Sequence, residues 1–194
     1  MRWTPAERWY LLDRHLSRLE QSARHFHFRY WPDDVRDALA QAVQSAGGPL
    51  RVRLLVAEDG GVRVEQAPLD TTERTMQLRL ASEPIDPTNL FLYHKTTNRA
   101  VYERARRPDC DDVVLWNPDG EVTETTIANI VVEVAGRRVT PPVACGLLPG
   151  TMRAELLARN DIAEAPVTVQ QLQAVPEFSL INAVRGIWPA RLIG

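Results

Sequence analysis

The stretch DDVVLWNPDGEVTETTIANIVVEVAGRRVTPP, residues 111–142, restricts the fold of this chain more than any other segment. Runs of Val, Ile, Thr and Leu are broken at NPDG and AGRR, where Asn, Pro, Asp and Gly supply turn geometry. Turns at such short intervals leave no room for helices. The segment therefore reads as successive strands, and a chain that commits its middle to strands has to build a sheet.

The flanking sequence supplies what covers that sheet. RWTPAERWYLLD reads as two short extended pieces around a turn at Pro5 and Ala6. A helix capped by Asp13 follows, with Leu16, Leu19, Ala23 and Phe26 at helical spacing. A second helix follows WPDD, with Val35, Leu39 and Val43 on one face and Gly47-Gly48 ending it. LRVRLLVAEDGGVRVEQAPL alternates on either side of EDGG, a hairpin signature, and TMQLRLA adds a strand. SEPIDPTN has the prolines and turn-formers of a linker. Beyond it come a strand at LFLYH, a helix at NRAVYERARR, the strand series, a helix after LLPG and closing strands in SLINAVRGIWPARLIG. The fold class is α/β in the α+β sense. The expected organisation is a small α+β domain over residues 1–83, a linker over 84–90 and a larger strand-rich α/β domain over 91–194.

Composition narrows the function. The 194 residues are 44% hydrophobic and 25% charged, enough for a real core, and the formal charge of −2 offers no basic field to nucleic acid or an anionic membrane. No apolar run approaches a membrane span, and MRWTPAERWY lacks the apolar stretch of a signal peptide, so a cytoplasmic protein is expected. Cys110 and Cys145 are too few and too far apart for a disulfide framework or a thiolate metal site. His15, His25, His27 and His94 lack metal-ligand spacing, and no metal is implied.

One residue stands out by its chemistry. Lys95 is the single lysine among 23 Lys+Arg residues, so 22 of the cations are Arg. Arginine stays protonated, whereas a desolvated lysine can act as a base or form a Schiff base. Chance survival of one lysine in an Arg-rich chain is the alternative. Glu124, in VTETTIAN, sits among small, β-branched and apolar residues that would desolvate a carboxylate and leave it seeking a cation; it can equally be an edge carboxylate held by backbone donors. LPGTMR brings the backbone N–H groups of Thr151 and Met152 to a helix N-terminus, which suits a phosphate or is simply a turn. Arg185, in NAVRG, is a binding cation or one half of a structural ion pair.

In their order along the chain, LLDRHLSRLEQSA, YHKTTNR, GEVTETTIANI, GLLPGTMRAELL and NAVRGIWPA resemble the class IV, or fold type IV, aminotransferase superfamily, and within it the aminodeoxychorismate lyases. The resemblance implies a two-domain homodimer acting on a small-molecule substrate, with pyridoxal 5′-phosphate bound between the domains. It implies that Lys95 holds the cofactor, that Glu124, with Asn129 following it, faces the pyridine nitrogen, and that Arg18, Thr151 and Met152 grip the phosphate. Freed by substrate, Lys95 then serves as general base; separately from the resemblance, the guanidinium of Arg185 is expected to hold a substrate carboxylate. The lyase reaction turns 4-amino-4-deoxychorismate into 4-aminobenzoate and pyruvate, a step toward folate. A class IV aminotransferase for D- or branched-chain amino acids and a non-catalytic fold type IV protein are the alternatives.

The chain departs from that pattern at several points. Met1 falls roughly where a preceding substrate-facing segment of the family ends, so a small domain without its usual first strand is expected. Ala183 stands where Ser or Thr is usual, removing one hydroxyl from the phosphate site, and Met152 offers it only a backbone amide. The arginine that some lyases carry after the RVRLLVAEDG strand is missing.

Overall fold

Arg2–Thr4 (β1) and Arg8–Trp9 (β2) form a short antiparallel hairpin in the computed structural model, which describes residues 1–70, 72 and 74–194. Leu12–His25 (α1) follows. Its N-cap is Leu11, in the left-handed region at φ 54°, with no side-chain cap; Asp13 lies inside the first turn. The expected Asp13 cap is thus wrong, because the hairpin delivers the chain into the helix two residues earlier, and Asp13 acts there only as a negative charge at the positive end of the helix dipole. α1 closes with His27 at φ 59° and the Phe28 N–H donating to the Ala23 carbonyl at 2.8 Å. This is a Schellman ending with histidine in the place usually taken by glycine.

Pro32–Val43 (α2) starts with proline in its first turn, where a missing N–H is harmless, and buries Val35, Leu39 and Val43. It ends at Gln44, short of Gly47-Gly48, so the glycines belong to the loop rather than to the cap. Leu50–Val56 (β3) and Val62–Pro68 (β4) form the hairpin around EDGG. The sheet order is β2-β1-β3-β4. Trp3, Leu16, Val35, Leu39, Val43 and Val52 make its core. Each fully buried side chain of this size contributes about 1.5–3 kcal/mol.

Met76–Leu80 (β5) was expected in the first domain. It pairs instead with strands of a second sheet, so the chain divides into units Met1–Thr72 with Ala183–Arg185 and Glu73–Asn182 with Gly186–Gly194. LFLYH is a single 3₁₀ turn, Leu90–Leu92, and not a strand: the Asn89 carboxamide accepts the Phe91 N–H at 3.0 Å and folds the chain back. Ala100–Ala105 (α3) is a shorter helix than NRAVYERARR suggested.

Asp112–Trp116 (β6), Val122–Thr125 (β7), Asn129–Val134 (β8) and Arg137–Thr140 (β9) are the strands of the segment 111–142. Thr151–Ala158 (α4), Ala163–Glu164 (β10), Val169–Ala174 (α5), Phe178–Asn182 (β11) and Gly186–Leu192 (β12) complete the unit. The order is β10-β9-β8-β11-β12-β5-β6-β7, and β7 also pairs with β8, which closes six of the strands into a barrel. Its interior holds Met76, Leu78, Val114, Ile130, Val132, Leu180, Trp188 and Ala190. Outside it, Val113 and Leu115 of β6 pack with Leu92 and Tyr102. Among the described residues, no helix is long and apolar enough to cross a membrane.

Candidate active site

Strict alternation along β7 would put Val122 and Glu124 on one face. Val122 belongs to the barrel interior, yet Glu124 bonds outward to Tyr102. The register between β6 and β7 shifts between the pairs Val114↔Thr125 and Trp116↔Val122, and this bulge turns Glu124 out of the barrel. The turn from β7 to β8 is held by Thr125, whose hydroxyl accepts the Ala128 N–H at 3.1 Å. It places Asn129 directly across from Glu124.

Glu124 is 3% exposed and fully engaged. Its Oε1 accepts from the Tyr102 hydroxyl at 2.8 Å and from the Leu148 N–H at 3.0 Å, and its Oε2 accepts from the Asn129 carboxamide at 3.2 Å. Asn129 also donates to the Leu148 carbonyl at 2.9 Å. The pair thus grips both backbone polar groups of Leu148, which fixes the Pro149-Gly150 turn and the start of α4. There the first helical bond runs from the Ala154 N–H to the Gly150 carbonyl, so the amides of Thr151 and Met152 precede the helical ladder. Arg153, 3% exposed, donates to the Pro141 carbonyl at 2.8 Å and to the Glu164 carboxylate, anchoring the helix.

Lys95 lies in the exposed coil between the 3₁₀ turn and α3. Asn98 shapes this coil by accepting the Ala100 N–H at 3.3 Å. Arg99 donates to the Thr126 carbonyl at 2.6 Å and lies 4.7 Å from the centre of the Tyr102 ring. Burial pushes the Glu124 carboxyl up to about 7, against the Leu148 N–H, the Tyr102 hydroxyl and the charges of Lys95 and Arg99, which all pull it down. Burial and the Glu124 charge drive the Tyr102 phenol well above its ordinary range.

The second unit therefore brings together Glu124, Asn129 and the start of α4, with the Lys95 charge acting on Glu124. Thr151 and Met152 are buried at the first turn of α4. Arg18 and Arg185 belong to the first unit: Arg18 lies half-buried on α1, and Arg185 pairs with Asp70 at 3.4 Å. Sequence reasoning missed Tyr102 and the backbone of Leu148. Neither carries a local signal, since both meet Glu124 only through the fold. Arg99 was visible only as a letter in TTNR.

Residues 1–193 match the family model for amino-transferase class IV, and the chain belongs to that family. The family's enzymes depend on pyridoxal phosphate, and the fold is type IV. A Schizosaccharomyces pombe protein provisionally named as an aminodeoxychorismate lyase is 35% identical over 95% of this chain and 84% of its own length. The aminodeoxychorismate lyase of Saccharomyces cerevisiae is 27% identical over 70% of this chain and 50% of its own length. A crystal structure from Mesorhizobium loti, provisionally described as an amino-acid aminotransferase, superposes with a TM-score of 0.93 at 34% identity, covering 100% of this chain and 97% of that one.

Proposed function

We propose that this chain is a pyridoxal-phosphate-dependent aminodeoxychorismate lyase that converts 4-amino-4-deoxychorismate to 4-aminobenzoate and pyruvate. The observation that carries the reading is a buried carboxylate, wired to three donors, that feels the charge of the chain's single lysine, an exposed one. The relatives named as lyases support the choice of reaction.

The residues fit the cofactor's chemistry: an amine for its aldehyde, a carboxylate for its ring nitrogen and helix-start amides for its phosphate. When bound, pyridoxal phosphate supplies an electron-withdrawing ring that stabilises negative charge next to the substrate nitrogen. Lys95 would hold the cofactor through its amine, and the same amine would serve as the general base for the substrate's ring proton. Glu124 keeps a proton on the ring nitrogen, and Asn129 orients Glu124 through the 3.2 Å bond. Thr151 and Met152 offer their amides to the phosphate. The role of Arg18 on the phosphate rests on the family resemblance, and that of Arg185 on a substrate carboxylate on the chemistry of its guanidinium alone. The reading includes a cytoplasmic homodimer, for which sedimentation of the purified protein is the check.

A second reading, an amino-acid aminotransferase, is favoured by the Mesorhizobium loti structure of matching length. Two measurements separate the possibilities. Purified protein is mixed with pyridoxal phosphate, reduced with borohydride and mapped by mass spectrometry, with Lys95→Ala as control; wild type is expected to carry the label on Lys95. A label found on neither protein, or equally on both, removes the cofactor assignment. Release of pyruvate from 4-amino-4-deoxychorismate then identifies the lyase, while conversion of an amino donor to its oxo acid identifies the aminotransferase.

A further inference from the structure

Tyr102 stands seven positions beyond Lys95 and faces Glu124 from α3, across the outer surface of the barrel. Its side chain is buried, 7% exposed, and its ring is fixed between the apolar cluster of Leu92, Val113 and Leu115 and the guanidinium of Arg99. Arg99 is itself tied to the Thr126 carbonyl at 2.6 Å. The hydroxyl therefore has little freedom, and it donates to Glu124 Oε1 at 2.8 Å. The bonds on the carboxylate divide unequally. Oε1 takes two, at 2.8 and 3.0 Å, whereas Oε2 takes one longer bond of 3.2 Å from Asn129.

We propose that Tyr102 is a positioning residue that draws Glu124 back toward its charged form and, by occupying Oε1, leaves Oε2 as the oxygen that takes a further donor. The proposal rests on the cofactor reading above, in which that donor is the protonated ring nitrogen. A carboxylate accepting hydrogen bonds is favoured over its acid, so each donor on Oε1 opposes the burial that would otherwise neutralise Glu124. The charged and titratable groups acting on it are Tyr102 from α3 and Lys95 and Arg99 from the coil before it; Asn129 of β8 and the Leu148 amide are neutral. The phenol stays protonated throughout the working range, because burial and the Glu124 charge both oppose its ionisation. Tyr102 therefore remains a donor at every pH at which Glu124 titrates. The Leu148 amide is the second donor on the same oxygen, so loss of the Tyr102 hydroxyl leaves Oε1 with one bond in place of two.

The test is a titration of Glu124 in cofactor-free protein, read from the carboxyl stretching band in infrared difference spectra and assigned by its loss in Glu124→Gln. Tyr102→Phe keeps the ring and the Arg99 contact and removes only the donor. The midpoint is expected to rise by about one pH unit or more, the size of a hydrogen bond to a charged group. A midpoint that stays in place or falls overturns the proposal. Should Tyr102→Phe not fold, uniform replacement of the four tyrosines by fluorotyrosine, a stronger donor, gives the opposite sign: the midpoint falls, and a rise or no change overturns the proposal. With pyridoxal phosphate added, the pH profile of the visible band of Tyr102→Phe is expected to move upward in parallel; an unmoved profile ends the role toward the cofactor. Because the first titration needs no cofactor, failure of Lys95 to take the borohydride label would sink the cofactor reading while the coupling of Tyr102 to Glu124 is still decided.

Discussion

Gly150 lies so close to Asn129 that a methyl group added to it would stand 2.0 Å from the Asn129 carboxamide oxygen. The backbone at Gly150 is otherwise ordinary, at φ −64°, so the requirement for glycine is one of space alone. Gly150→Ala has to displace Asn129, which then loses its bonds to Leu148 and Glu124. We expect a loss of about 2–4 kcal/mol in denaturant unfolding. In an Asn129→Ala background the same substitution should add little, because the clash is gone; full additivity of the two variants would show that the contact is unimportant.

Glu124 makes the stability of the cofactor-free fold depend on pH in an unusual direction for a carboxylate. Its pKa is raised by burial from about 4.5 to about 7, so the fold favours the protonated acid. Its stabilising contribution is complete below the ordinary value and is lost as pH rises through about 7. Glu124→Gln cannot ionise. Wild type should therefore lose stability relative to the variant between pH 5 and pH 8, by an amount on the order of a few kcal/mol. Parallel melting curves for the two proteins across that range would contradict this.

The two cysteines should differ sharply toward thiol reagents. Cys145 is 5% exposed and its thiol donates to Glu121 Oε2 at 3.2 Å; burial first, then Glu121, pushes it up to about 12. Cys110 is half-buried. In native protein Cys110 reacts first, and Cys145 reacts only as the protein unfolds. Mass mapping of the modified peptide after brief exposure decides between them.

Inside and outside of the barrel can be told apart by truncation. Leu180, fully buried in the interior cluster, should cost about 2–5 kcal/mol as Leu180→Ala. Ile187, 46% exposed on the neighbouring strand, should cost no more than about 0.5 kcal/mol as Ile187→Ala. Equal losses at the two positions would reverse the assigned faces.

What the sequence made readable follows from how local each signal is. The hairpin around EDGG, the apolar stripe Val35, Leu39 and Val43, and the strand series after residue 111 all announce themselves within a few residues, and all are present. The end of α1 does not, because His27 takes a backbone conformation that glycine usually marks. LFLYH misleads because its apolar run suits a strand, while the deciding bond comes from Asn89 just before it. β5 was assigned to the wrong unit since its partners, β6 and β12, lie far along the chain. The site shows the same division. Lys95 and Glu124 are conspicuous by type and surroundings, but the burial of Glu124 depends on a bulge, and its donors depend on a helix and a loop distant in sequence.

The barrel is fastened shut at one register pair, and that pair is Glu124↔Asn129. The residues that give the proposed site its chemistry are thus also the clasp of the wall that carries it. A lineage drifting away from catalysis keeps a structural use for them, because their side chains also hold both backbone groups of Leu148. Finding both residues in a relative is therefore a weaker sign of activity than finding the lysine, which lies in an exposed coil outside the barrel strands.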